Sequence, residues 1–222
     1  AWSKELKAKL EPAELGLYKL RSVSSDTRFI LTTEISCVYT KNNKGRRVHL
    51  LIFAPSLEAV EKINAQLGWR GNLKADGRPI IGIDSKEVVK IALGASPDCM
   101  VVPSHIWTPW FAVFGSKSGF DSLEECFDEY TKYIYAIETG LSSDPAMNWR
   151  LSQLDNIALI SNSDSHSLAK IGREANVFDT EVSYGGIAEA IKTKDPAKFL
   201  FTVEFFPEEG KYHYDGHRLC NV

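Results

Sequence analysis

The 222-residue chain contains no apolar run of membrane-spanning length and opens without the pattern of a secretory leader, so a cytoplasmic protein is expected. Cysteine is sparse: Cys37, Cys99, Cys126 and Cys220 stand far apart, and none forms a C-x-x-C pair. A chain of this size buries a core without staples, so the thiols are read as reduced. Positive charge is not in excess, because 26 Lys and Arg against 29 Asp and Glu leave a net charge of −3. That excludes a global basic field, and any nucleic-acid contact has to come from local patches. Internal repeats and low-complexity linkers are missing too. Gly115-Ser116-Lys117-Ser118-Gly119 is a flexible polar loop suited to a phosphate, but it lacks the glycine spacing of a Walker motif.

What is present is an ordinary globular composition, 44% hydrophobic and 25% charged, enough for one large domain. Apolar runs of strand length alternate with amphipathic stretches. Phe29–Glu34 and Val48–Phe53 read as strands joined in a hairpin by the polar Lys41–Gly45 turn. Ser56 caps a helix to Leu67 that Gly68 ends. Asp84 opens a helix that stops at Gly94, and Asp121-Ser122 opens another. Cys99–Pro103, Tyr133–Glu138, Ile157–Ile160 and Phe199–Val203 read as strands, and Asp144-Pro145 starts a helix over Ala146–Leu154. Alternation of this kind predicts a mostly parallel sheet, open or closed, with chemistry at the carboxyl ends of the strands.

Polar residues recur at those expected ends: Glu34, His105, Glu138, and Asp164 with His166, while His49 lies within its strand and Glu204 follows the last one. The strongest local signal is Ser161-Asn162-Ser163-Asp164-Ser165-His166-Ser167. In extended backbone, residues two apart point the same way, so Asp164 and His166 can share an ion, and carboxylate plus imidazole suits zinc, manganese or iron. The plainer reading is a capping aspartate and a loop histidine. His49 has an equally plain reading as a strand histidine, and Glu34 as a strand-end charge. Trp107 and Trp110 flank a Thr-Pro beside His105, where they either stack on a base or cover the core. Lys44, Arg46 and Arg47 form a small basic patch, whereas Arg150 and Arg173 follow the candidate loops and suit a phosphate better. His213, His217 and Cys220 crowd the C-terminus in half of a zinc-site pattern.

At these residues the chain resembles the polymerase-and-histidinol-phosphatase (PHP) superfamily and, within it, the endonuclease Q family. The resemblance rests on Phe29–Glu34, Arg47–Phe53, Pro103–Trp110, Gly115–Glu125, Glu138–Arg150, Ser161–Asn176 and Glu204–Cys220. It implies an α/β fold, a distorted (β/α)7 barrel of PHP type, with up to three divalent ions, zinc or manganese, at its mouth. Glu34 matches the superfamily's bridging glutamate, His49 and His105 its later histidine ligands, and Asp164 and His166 its final Asp-x-His pair. The opening His-x-His, with the aspartate and histidine that follow it, has no counterpart here. Together with a helical start at Ala1 and no initiator methionine, this gives the expectation of an N-terminally truncated piece. Residues 1–210 are then an incomplete metallophosphoesterase domain, and 211–222 the start of a zinc-binding module with Cys220, and His217 or His213, as ligands.

The activity implied is nicking of DNA on the 5′ side of deaminated bases such as uracil and hypoxanthine, or at abasic sites. The implied partner is DNA carrying those lesions. Under that reading Asp164 and His166 are catalytic. Asn162 is the candidate for reading the base edge, Trp107 and Trp110 are pocket walls, and Lys117, Arg150 and Arg173 contact phosphate. Two alternatives stand beside it: a PHP phosphatase acting on a small phosphate ester, and a non-catalytic module that binds damaged DNA.

Overall fold

The computed structural model describes residues 2–74 and 78–210. Along the chain come helix α1 (Trp2–Lys9), strands β1 (Leu10–Pro12) and β2 (Tyr18–Leu20), then the long strands β3 (Leu31–Lys41) and β4 (Lys44–Ala54). Helix α2 (Leu57–Leu67), strand β5 (Ile80–Ile81), helix α3 (Ser85–Ala95) and strand β6 (Met100–Pro103) follow. The second half holds α4 (Leu123–Phe127), β7 (Ala136–Glu138), α5 (Pro145–Asn148), β8 (Ala158–Ile160), β9 (Ala175–Phe178), α6 (Tyr184–Thr193) and β10 (Phe199–Val203). Among the described residues no helix is long and apolar enough to cross a membrane.

The β3–β4 hairpin is the framework. Its strands pair without a break from Leu31↔Ala54 to Lys41↔Lys44. They turn on Asn42 and Asn43, both at positive φ (54° and 58°). That is the mirror-image turn whose twist matches paired strands, and asparagine tolerates it. β5 joins β3 in parallel and β6 joins β4 antiparallel, giving the order β5-β3-β4-β6. One face of this sheet, with Ile35, Cys37, Val48, Leu50 and Ile52, packs on α2 (Ala59, Ile63, Leu67) and α3 (Val88, Ala92) as the main core. Ser56, Asp84 and Ser122 cap α2, α3 and α4 through their side chains.

The class is mixed α/β, but the sheet is not mostly parallel. Among the described residues only β3–β5 and β7–β8 pair in parallel, while β1–β2, β3–β4, β4–β6 and β9–β10 are antiparallel. For β3–β4 the cause is the two-residue turn after Lys41, which leaves no room for a crossover helix. Beyond β6 the strand ends are linked in series. Ile106 N–H donates to the Glu138 carbonyl (3.0 Å) and Thr139 N–H to that of Ile160 (2.9 Å). The Asn176 amide bonds both the N–H and the carbonyl of Ser161 at 2.8 Å, standing in for a ladder between β8 and β9.

Candidate metal centre

Glu34 and His49 are brought together by register. Ser36 faces His49 across the hairpin, and Glu34, two residues away, shares its face. Val48 and Leu50 point into the core and His49 to the opposite side. His105 arrives just past β6, held by Ser104 N–H donating to the His49 carbonyl at 3.0 Å. His49 Nδ1 and His105 Nε2 lie 3.0 Å apart. Glu34 Oε1 lies 3.2 Å from the first and 3.4 Å from the second. That oxygen is buried and, among the described residues, has no hydrogen-bond donor.

Three lone-pair-bearing atoms around one point are the arrangement a divalent cation needs. Around zinc at its usual bond length of ~2.0–2.1 Å, tetrahedral donors stand about 3.3 Å apart, so the residues fit the ion. The electrostatics agree. Burial opposes ionisation of Glu34, yet His105, His49 and Arg78 hold its carboxyl well below the usual range. Burial, with the charges of His105 and Arg78, pushes His49 down to about 4, leaving a neutral imidazole at pH 7. His105 moves the other way. Burial lowers it, but Glu34, Glu138 and Asp164 outweigh that and raise it.

A second ring of residues aims these ligands. The Thr108 hydroxyl donates to the Trp110 carbonyl (2.8 Å) and so accepts from His105 Nδ1 (2.9 Å), which turns the Nε2 lone pair toward Glu34. Glu138, wholly buried, accepts the His105 backbone N–H at 2.8 Å and the Asn162 amide at 2.9 Å. Its desolvation pushes the carboxyl up to about 6. Phe111 stacks on the His49 ring with centroids 4.4 Å apart. His105 and Asp164 both take positive φ (30° and 41°), a conformation that costs non-glycine residues energy and gathers at functional sites.

The remaining expected residues are placed less uniformly. Asp164 borders the cluster and is linked to it through Arg78, whose Nη2 lies 3.8 Å from Oδ1. His166 is 76% exposed and meets Asp164 at 3.3 Å, so it does not join the three-residue group. Asn162 has both edges of its amide engaged, by Glu138 and by Asn176 (3.2 Å), so it positions Glu138 and is not free to read a base. Trp107 packs on Phe114 and donates to Asn148 Oδ1 at 2.8 Å, covering the core, whereas Trp110 is 47% exposed with Arg47 over its ring at 4.9 Å. Arg173 donates to the carbonyls of Ser163 (2.8 Å) and Asp164 (3.2 Å), bracing that loop. Lys117 and Arg150 are exposed, and neither belongs to the three-residue group. His213, His217 and Cys220 lie outside the described residues. Arg78 was not legible beforehand, because nothing in a lone arginine before Pro79 marks it.

No family model matches the chain. The chain is 31% identical over 198 residues to the uncharacterized protein YqxK of Bacillus subtilis, covering 87% of this chain and 49% of that protein. It is 32% identical over 125 residues to the uncharacterized protein MJ0043 of Methanocaldococcus jannaschii, covering 53% of this chain and 15% of that one. Among solved structures, the lesion-specific endonuclease PfuEndoQ of Pyrococcus furiosus superposes with a TM-score of 0.78 at 28% identity, over 95% of this chain and 49% of that one. Spanning about half the length of YqxK and of that endonuclease, the chain has an endonuclease Q-like fold.

Proposed function

We propose that the protein is a metal-dependent DNA endonuclease that nicks the strand 5′ of deaminated bases or abasic sites. In this reading its strands form the distorted PHP-type barrel and Glu34, His49 and His105 hold a zinc or manganese ion, one of up to three in the intact protein. The observation that carries the reading is the convergence of three ligand atoms within 3.0–3.4 Å, in a fold shared with a lesion-specific endonuclease. When bound, divalent ions neutralise charge on phosphoryl oxygens and activate water. The chain's own residues do the rest. Thr108 and Glu138 fix His105, Asn162 fixes Glu138, and Arg173 holds the backbone that presents Asp164. Asp164, beside the cluster, completes the ligand set, and Trp110 under Arg47 offers an exposed aromatic face for an unstacked base.

The test is metal analysis together with a nicking assay on uracil-containing duplex, run on this chain and on the full-length gene product. Asp164→Ala in the full-length protein should abolish nicking while leaving the fold intact. A variant that still cuts at the wild-type rate overturns the assignment.

A further inference from the structure

Arg78 is a fixed cation in contact with the three-residue group. Its backbone is delivered there by β3, because Ser36 N–H donates to the carbonyl of the next residue, Pro79, at 2.8 Å. β5 then runs parallel to β3 from Ser36↔Ile80. The guanidinium pairs through Nε with Glu34 Oε2 at 2.8 Å. Its Nη1 lies 2.7 Å from His49 Nδ1 and 3.2 Å from His49 Nε2. The two ring nitrogens point away from each other in the ring plane, so an atom this close to both lies over the face of the imidazole. Arg78 therefore leaves the in-plane positions of His49 to other partners.

Such a placement is unfavourable unless a third charge takes part. Guanidinium does not lose its proton, and a positive charge against metal ligands opposes the ion they would hold. An anion shared by the two cations turns that repulsion into two attractions. Phosphate oxygens in particular match the planar fork of the guanidinium. Arg78 has donors to give: Nη2 stands 3.8 Å from Asp164 Oδ1, beyond hydrogen-bonding distance, and the side chain keeps 25% of its surface exposed. The neighbouring arginines are engaged elsewhere. Arg173 is spent on the carbonyls of Ser163 and Asp164, and Arg47 lies over the Trp110 ring.

We propose that Arg78 binds the phosphate that is cut: anchored on Glu34 Oε2 and laid over the His49 ring, it presents its remaining N–H groups to a nonbridging phosphate oxygen beside the metal centre. There it orients the phosphodiester and stabilises the negative charge that the phosphoryl oxygens carry during displacement. The inference rests on the metal-centre part of the proposed function, in which the carboxylates of Glu34 and Asp164 serve the ion and Arg78 is the chain's own cation for the substrate.

The test needs no nuclease activity. Inorganic phosphate is titrated calorimetrically into zinc-loaded wild-type protein, Arg78→Gln and Arg78→Lys, with zinc stoichiometry measured and circular dichroism confirming that each is folded. Arg78→Gln should keep its zinc and bind phosphate roughly 10- to 100-fold more weakly, the scale of a hydrogen bond to a charged group. Arg78→Lys, which keeps the charge but not the fork, should fall between. Phosphate bound equally by wild type and Arg78→Gln overturns the inference and leaves the metal centre standing, whereas a wild type that takes up no zinc overturns both. A second arm separates a DNA phosphodiester from a small phosphate ester. The full-length gene product is given uracil-containing duplex, either unmodified or with a neutral methylphosphonate 5′ of the uracil. Arg78→Gln should weaken binding of the first and not of the second, and equal loss on both overturns the assignment to the phosphate that is cut. A measurement on the wild type guards against a variant that fails to fold. The Arg78 side-chain N–H resonances should shift when phosphate is added, and resonances that stay put count against the contact.

Discussion

A methyl group on Gly140 would lie 2.6 Å from His105 Cβ and 2.7 Å from its Cα. Gly140 also takes φ +64°, and His105 itself sits at +30°. Two unusual backbones therefore press against each other, and only a residue without a side chain lets the loop after β7 close over the imidazole. Gly140→Ala should cost roughly 1–3 kcal/mol of stability from backbone strain alone. It should weaken zinc binding as well, because His105 has to move. Thermal melts and a zinc titration read the two effects. Wild-type values in both would show that the loop yields more easily than this packing implies.

Thr108 gives a subtler handle on the same ligand. Its hydroxyl ties His105 Nδ1 at 2.9 Å and so fixes which nitrogen faces the cluster. Thr108→Val keeps the shape and deletes the hydroxyl. Zinc affinity should fall about 10- to 100-fold, the usual cost of losing a partner behind a metal-binding histidine. Stability should change little by comparison. An affinity within twofold of wild type would mean that Glu138 and the backbone suffice to orient the ring.

The sequence was most informative where local chemistry decides local structure. The side-chain caps at Ser56 and Asp84 and the hairpin turn at Asn42-Asn43 are short-range signals, and the helices and turn formed where those residues place them. The helix started at Asp144 ends at Asn148, short of Leu154, because the Asn148 side chain folds back on Ser143 and Asp144 and competes with the helix. Helix α6 was overlooked, since Gly185-Gly186 in its first turn masks the apolar spacing that Tyr184, Ala188 and Ile191 provide. Glu34 was identified under a strand-end rule that does not apply to it, whereas His49 was already read as lying within its strand. Glu34 is the fourth residue of an eleven-residue strand and not its end, and an antiparallel register, not a shared rim of parallel strands, joins it to His49. Arg78 reaches them through pairing between β5 and β3, a long-range fact that no window of sequence contains.

Glu174 predicts a pH dependence. Burial, with Glu204 and Glu138 nearby, pushes its carboxyl up to about 7 from an ordinary 4.5, against the pull of the Phe205 N–H and Arg173. Between those two values the folded protein holds more protons than the unfolded chain. Its contribution to stability is therefore fully present at low pH and declines as pH rises through the window. Glu174→Gln cannot ionise, so its stability should fall less between about pH 5 and pH 8 than that of the wild type. Thermal melts across that range decide the point, and parallel profiles would show that Glu174 ionises without penalty.

His166 and His49 should respond oppositely to truncation, although both were read as ligands from the same kind of signal. His49 is buried, stacks on Phe111 and offers Nδ1 to the cluster, so His49→Ala removes one of its three ligand atoms. His166 is 76% exposed and meets the Asp164 carboxylate at 3.3 Å, an exposed pair of the kind that contributes little. His49→Ala should reduce zinc affinity at this cluster about 100-fold or more, given that even the residues behind metal ligands cost 10–100-fold when lost. His166→Ala should leave it within about twofold, as suits a solvated side chain outside the ligand set. The comparison separates two kinds of site. If His166→Ala cripples zinc binding as severely as His49→Ala, the ion is held jointly by the hairpin and the Asp164–His166 loop, and the three-residue cluster is only part of its shell.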